Sequence, residues 1–526
     1  MLAKILSAAV FGLQASLVEV EIDVSRGLHS FNIVGLPDAA IKEAKQRVAS
    51  AVKNIGAVSP LKANKRVTIN LAPADVKKFG SYYDLPIAIG YLTASGQIPP
   101  FSWKDKLFIG ELDLEGNVKP IKGALTIALW AQRHNFKYLF LPQANVSEVS
   151  VVHNIQIVGI INLKQVIAIL EGKQKIQPVN PISIPSSSFF TPEIDISQIK
   201  GQEKAKRALL IAASGRHNLL MIGPPGSGKT LLAKSITGLL PSLSLSEAIE
   251  VTAIYSISGL LPAQHSLIFR PPFRSPHHTS SVVSLVGGGD WPQPGEITLA
   301  HRGVLFLDEL PEFRRDALES LRQPLEEGKI CISQAKHRTT FPAKFLLITA
   351  MNPCPCGFYG DPEKECTCSL SQILRYRKRI SGPLLDRIDL MVEVPRLSSE
   401  KIFTRQHNLS QLHQYQEKVR KARQIQQRRF THRSKKQPSI LTNGEMTIAD
   451  IEKYCILNLN PEATNLIKKA IDKYQLSVRA YHRILKISRT IADLDESETI
   501  KAYHLAEALQ YLSLIHISEP TRLGMI

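Results

Sequence analysis

Asn218-Leu-Leu-Met-Ile-Gly-Pro-Pro-Gly-Ser-Gly-Lys-Thr-Leu-Leu-Ala233 decides the fold of the middle of this chain. The apolar run to Ile222 reads as a short buried strand, and Leu231 onward reads as a helix. Between them lies Gly-x4-Gly-Lys-Thr, in the strand–loop–helix context that a phosphate-binding loop requires. Its glycines let the backbone wrap until several N–H groups converge on one point, and the following helix adds its positive N-terminal end. Gly223, Pro224, Pro225, Gly226, Ser227 and Gly228 are therefore the expected cradle for the phosphates of ATP. Lys229 would reach the β- and γ-phosphates, and Thr230 would hold Mg2+. A chance glycine-rich turn is the alternative, and the flanking strand and helix argue against it.

Two more apolar runs end in polar residues suited to the same chemistry. Val304-Leu-Phe-Leu307 is followed by Asp308 and Glu309. Asp308 is expected to bind Mg2+ through water, and Glu309 to orient and deprotonate the attacking water. A capping pair for a helix beginning at Pro311 is the structural alternative. Phe345-Leu-Leu-Ile-Thr-Ala350 leads to Asn352, placed to touch the γ-phosphate or the lytic water. In Leu384-Leu-Asp-Arg-Ile-Asp389, Arg387 is either a local ion pair or a finger reaching the ATP of a neighbouring subunit.

The 526 residues, 44% hydrophobic and 21% charged, suit about three globular domains. The organisation expected is α/β multidomain. Residues 1–172 alternate strand and helix patterns, 173–198 form a Pro- and Ser-rich linker, 199–395 form an α/β nucleotide-binding core, and 396–511 are helical. The N-terminal apolar stretch runs into the alternation Val18, Val20, Ile22, Val24 and is read as strands rather than a leader. No run approaches the ~20 apolar residues that span a bilayer, so a cytoplasmic protein with no membrane partner is expected. Residues 512–526 fit nothing before them and are read as a non-native tail.

A net charge of +19 makes nucleic acid the first partner to consider. Lys418–Lys436 holds nine Lys and Arg and no acid, and Arg428 and Arg429 stand in it as expected DNA contacts. A second basic point is the turn Gln334-Ala-Lys336-His-Arg338 between two short strand patterns, where a solvated hairpin tip is the bland alternative. Phe273-Arg-Ser-Pro-His277-His278 lies in an insert, Ile254–Ala300, that is another candidate for facing DNA; adjacent histidines chelate poorly, so metal is disfavoured there. Cys354, Cys356, Cys366 and Cys368 form two C-x-C pairs in the loop 354–368. Four thiolates suit a structural Zn2+, against the alternative of four free thiols in a loop.

Taken together, Gln202-Glu-Lys-Ala-Lys-Arg-Ala208, the phosphate loop, Phe273–Thr279, Gly287-Gly-Gly289, Pro294-Gly-Glu-Ile297, Val304–Pro311 and Met351-Asn-Pro-Cys-Pro-Cys-Gly357 resemble the YifB/ComM family over residues 1–511. These are bacterial AAA+ proteins of magnesium chelatase type. The resemblance implies a P-loop α/β core with a helical C-terminal lid. It implies that Asn352 acts as sensor 1, Arg387 as a finger in trans, and Arg479, in Ser477-Val-Arg-Ala-Tyr-His482, as sensor 2. It also places Lys336 where related MCM ATPases carry a channel lysine. The implied activity is that of a homo-hexameric ATPase acting on single-stranded and branched DNA, a helicase for branch migration during natural transformation.

Gly110-Glu-Leu-Asp-Leu-Glu-Gly-Asn-Val-Lys-Pro-Ile-Lys-Gly123 resembles the Lon protease domain, so an α+β Lon-like fold is expected at the N-terminus. A Ser–Lys dyad does not follow: Leu125 falls at the lysine position, and neither Ser81 nor Lys122 aligns with a catalytic place. A magnesium chelatase motor subunit, an ATP-dependent protease and an AAA+ protein remodeller are the rival functions.

Overall fold

A computed structural model describes the chain except residues 1, 29, 36–37, 62–64, 75–77, 79, 178–189, 191, 263–266, 290–291, 335–336, 398–408, 432–440 and 513–526; side chains of 39, 333–334, 337–338 and 409–410 are also left undescribed. Lys336, the Arg338 side chain and the tail from 513 therefore lie outside the described residues. The chain forms two compact units.

The first unit comprises Met1–Ile184, Leu245–Ile268 and Trp291–Gln293. Its mixed sheet has seven strands, in the order Ser30–Val34, Lys65–Ala72, Gln14–Arg26, Leu2–Phe11, Lys106–Phe108, Tyr138–Pro142 and Gln156–Ile160. Leu2–Phe11 and Gln14–Arg26 form a hairpin, so the start of the chain is sheet. Val18, Val20, Ile22 and Val24 are buried, as the period-2 pattern requires. Helix Asp84–Ala94 is buried along almost its whole length. It approaches the sheet so closely that a Cβ on Gly90 would lie 2.1 Å from Ile22 Cδ1.

Leu245–Ser258 comes from the middle of the nucleotide-binding sequence, yet this helix packs in the first unit. Ser256 carries the contact: Gly123 N–H donates to its carbonyl at 3.3 Å and its Oγ at 3.0 Å. Gly123, at φ 76, caps helix Ala124–Arg133.

The second unit comprises Pro185–Ser244, Phe269–Asp290 and Pro294–Ile526. Its sheet is parallel throughout, ordered Phe273–Arg274, Val304–Leu307, Leu346–Met351, Leu219–Ile222 and Leu390–Glu393. The three runs read as strands from the sequence are central or next to central. Parallel strands put all their C-terminal ends on one side, so Gly223, Asp308 and Asn352 emerge together.

Outside this sheet the unit carries an antiparallel strand pair, Lys329–Gln334 with His337–Pro342, and beyond Leu390–Glu393 its described elements are helices: Leu409–Thr431, Ile448–Tyr454, Pro461–Tyr474, Val478–Leu494 and Ala502–Gln510. Thr447, Asn460 and Ser477 supply N-caps whose oxygens accept from the third helical N–H. Helix Val478–Leu494 buries Ile484, Leu485, Ile487 and Ile491. Fully burying each such side chain stabilises by about 1.5–3 kcal/mol. No described helix is long and apolar enough to cross a membrane.

Candidate nucleotide site

The loop after Leu219–Ile222 bends through left-handed backbone at Gly226 (φ 76) and Gly228 (φ 90), where a side chain would be strained. A Cβ on either glycine would meet nothing within 4 Å, so this side of the loop is an open cradle. Helix Lys229–Ser235 starts directly behind it. The Lys229 ammonium donates to the carbonyls of Gly223 (2.7 Å) and Pro224 (2.9 Å) and to Asn352 Oδ1 (3.2 Å). Burial lowers its pKa below the usual lysine value, while the charges of Asp308 and Glu309 oppose that shift. Thr230 Oγ1 donates to Asp308 Oδ2 at 2.7 Å. Side chains from three strand ends thus meet at one loop, and a hydroxyl bonded to a carboxylate is a donor set that fits Mg2+.

Glu309 has φ 53 and ψ 46, a left-handed conformation that only glycine adopts without cost. Its carboxylate faces His278, with Nδ1 3.4 Å from Oε2. Sequence reasoning weighed the two histidines only as metal ligands and as part of a DNA-facing insert. It had no signal for their approach to an acid 31 residues further on.

Arg387 lies within electrostatic reach of Arg479. Burial chiefly, and then the charges of Arg479 and Arg322, lower the Arg387 pKa. The Arg387 guanidinium bonds the Pro383 carbonyl and Glu326. Arg479 is exposed on the first turn of its helix. Arg483, one turn on, donates to the Ile388 carbonyl at 2.5 Å and so ties this helix to the turn carrying Arg387. Among the described residues no hydrogen bond or ion pair joins Arg387 or Arg479 to Lys229, Asp308, Glu309 or Asn352.

The four cysteines of the loop converge, with all Sγ atoms within 4.8 Å of one another. Cys354 Sγ lies 3.3 Å from Cys356 Sγ and 3.6 Å from Cys366 Sγ. A Zn–S bond of about 2.3 Å sets tetrahedral S···S edges of about 3.8 Å. Backbone N–H groups of Cys356 and Tyr359 point at Cys368 and Cys354 sulfurs, at 3.4 and 3.3 Å, as thiolates require. The donor set fits zinc. The loop also abuts the nucleotide cradle: a Cβ on Gly357 would lie 2.6 Å from Pro225 Cδ.

The basic block is less free than its sequence suggests. Arg429 makes a two-pronged ion pair with Asp493, at 2.8 and 2.5 Å, and donates to Asn443, leaving its side chain 13% exposed. That guanidinium is committed to the fold. Arg420 pairs with Glu417, Lys421 with Glu496, and Arg423 caps the Ala213 carbonyl. Arg428 is exposed. In the first unit, Ser81 Oγ donates to Glu111, and Leu125 is buried.

Three family models match the chain: magnesium chelatase, subunit ChlI, over residues 195–402; subunit ChlI of Mg-chelatase over 20–145; and magnesium chelatase, subunit ChlI C-terminal, over 410–512. The competence protein ComM of Haemophilus influenzae is 44% identical over 522 residues, 98% of each chain. YifB of Escherichia coli is 40% identical over 519 residues, 97% of this chain and 98% of that one. The chain belongs to the YifB/ComM family. With it comes a magnesium chelatase-like AAA+ architecture of mixed α/β units and a helical C-terminal part. Two further similarities of this YifB/ComM chain are local. A probable DNA helicase, MCM9 of Arabidopsis thaliana, is 27% identical over 179 residues, 34% of this chain and 22% of that one. An archaeal Lon protease of Methanothermobacter thermautotrophicus is 45% identical over 62 residues, 12% of this chain and 10% of that one.

Proposed function

We propose that this chain is the subunit of a ring-shaped, ATP-driven DNA motor that promotes branch migration of recombining strands. The observation that carries the ATPase part is the convergence of Lys229, Thr230–Asp308 and Asn352 on one cradle. In this reading the cradle and Lys229 hold the triphosphate of ATP, and Mg2+ at Thr230 and Asp308 neutralises charge developing on the β- and γ-phosphates. Glu309 takes the proton of the attacking water, and Asn352 aligns that water or the γ-phosphate. Arg387, with Arg479 within electrostatic reach of it, serves the site of the next subunit, which is why a ring of six is the active form.

Three things support DNA as the track: the net charge of +19, the competence protein among the full-length relatives, and the local similarity to MCM9. Lys336, Arg338 and Arg428 are the proposed phosphate contacts; Arg429 is withdrawn from that set because Asp493 occupies it. The first unit is a Lon-like domain without proteolysis, a reading supported by the buried Leu125 at the lysine position. The chelatase names of the family models favour one rival, a motor for inserting Mg2+ into a porphyrin.

ATP hydrolysis measured with and without single-stranded and forked DNA separates the two. The motor will be stimulated by DNA, and the chelatase subunit will be indifferent. Lys336→Ala will leave basal hydrolysis near the parent rate, cut branch migration of a four-way substrate sharply, and flatten the salt dependence of DNA binding, since each lost phosphate contact removes about 0.9 from the log–log slope. Parent oligomer that neither binds DNA at low salt nor responds to it would remove DNA from the proposal.

Zinc is proposed as the resident ion of the four cysteines. Protein purified under reducing conditions without chelator will carry about one zinc per chain, released stoichiometrically by a mercurial. Metal analysis showing none would leave the cluster as thiols.

A further inference from the structure

We propose that His278 is a positioning residue for ATP hydrolysis, holding the Glu309 carboxylate where it can take the proton of the attacking water. The inference rests on the reading of Glu309 as the base. The backbone of Glu309 is fixed: its N–H donates to Asp308 Oδ1 at 2.9 Å, and its carbonyl accepts from Glu312 N–H at 2.8 Å. Its side chain is not fixed in that way. The carboxylate is half exposed, and among the described residues its one partner is His278, Nδ1 to Oε2 at 3.4 Å. A carboxylate on a three-torsion side chain in water samples many rotamers, so the group that faces it decides where it spends its time.

His278 is itself held. Its ring packs against that of His277, tilted by 34° with centroids 4.1 Å apart, and its edge meets Phe313 at 6.5 Å and 79°. Phe313 is buried and ends the short helical turn that Glu309 begins. His277 is braced by a 2.8 Å bond between Nδ1 and Thr279 Oγ1. The strand before this turn is pinned by Arg274, whose guanidinium makes two 2.6 Å bonds to Glu296. Imidazole and carboxylate are thus set by one packed corner. Glu309 held there still acts electrostatically on Lys229 in the cradle.

Among the described residues no hydrogen bond, ion pair or ring contact joins His278 to the phosphate loop, so removing it should slow chemistry and spare binding. Misplacing a catalytic group by about 1 Å costs on the order of 10²-fold. His278→Ala is therefore expected to lower kcat by about ten- to a hundredfold with the KM for ATP within about twofold. His278→Asn, whose side-chain amide N–H stands near the place of Nδ1, is expected to recover most of the rate. In a Glu309→Gln background, His278→Ala should have no further effect, because residues acting as one unit are not additive. Thermal midpoints of the variants report folding, and His278→Asn keeps the test open if the alanine variant is unstable.

An unchanged or raised kcat in folded His278→Ala, a loss carried by KM, or an asparagine variant as slow as alanine would overturn the proposal. If Glu309→Gln is dead while His278→Ala is normal, the positioning role falls alone. If Glu309→Gln hydrolyses ATP at the parent rate, the base assignment falls and takes the positioning role with it.

Discussion

Glu309→Gln will bind ATP as the parent does and will not turn it over. The amide matches the carboxylate in size and leaves the cradle, Lys229 and the Thr230–Asp308 bond in place, so ground-state binding has nothing to lose. What it removes is a proton acceptor at the position facing the cradle. A positioned general base contributes about 10²–10⁴ in rate, or about 3–5 kcal/mol of barrier at 1.36 kcal/mol per decade. Lys229→Ala will behave in the opposite sense. It deletes the cation, leaves the Gly223 and Pro224 carbonyls and the Asn352 amide without their donor, and so should abolish nucleotide binding itself. A fluorescent nucleotide titration and a phosphate-release assay on the same preparations read the two effects separately. Parent-rate hydrolysis by Glu309→Gln would strip Glu309 of its role.

The nucleotide site was legible because parallel strands turn one-dimensional signals into a shared edge. Short apolar runs ending at Gly223, Asp308 and Asn352 fall on one side of the sheet whatever the loops between them do. The cysteine loop was legible for a similar reason: two C-x-C pairs only nine residues apart have little freedom to miss one another. Arg429 was not legible. The run from Lys418 was judged on the acids within it, and the acid that neutralises Arg429 is Asp493, 64 residues away on a packed helix. Lys421 finds Glu496 in the same manner. Charge counts along a helix describe its solvent face only when no other helix covers it. The Leu245–Ser258 helix was hidden for a topological reason: its sequence lies between the phosphate loop and the Asp308 strand, while its packing partner, Gly123, lies in the first unit.

Arg387→Ala will remove most of the hydrolysis although it lies outside the nucleotide's own cradle, and mixing will show why. The guanidinium feels the like charges of Arg479 and Arg322, opposed by the charge of Glu319 and by its ion pair with Glu326. A triphosphate is the kind of partner such a cluster favours. Among the described residues neither arginine bonds Lys229, Asp308, Glu309 or Asn352, and in the proposed ring the phosphate it would serve is a neighbour's. A finger supplied in trans accelerates phosphoryl transfer by about 10³–10⁵. Loss on that scale is expected for Arg387→Ala, with nucleotide binding unchanged. Lys229→Ala is also expected to be inactive, through its own empty cradle. In mixed rings, however, an Arg387→Ala subunit with an intact cradle can lie against a Lys229→Ala subunit with an intact arginine. Random equal mixing makes about a quarter of all sites complete, and head-to-tail contacts let those sites work. Recovery toward that fraction is the expected result, read as phosphate release from co-assembled protein. Two inactive partners that stay inactive in demonstrably mixed oligomers would place Arg387 in its own subunit's site, and an Arg387→Ala protein at the parent rate would reduce the residue to a local ion pair with Glu326.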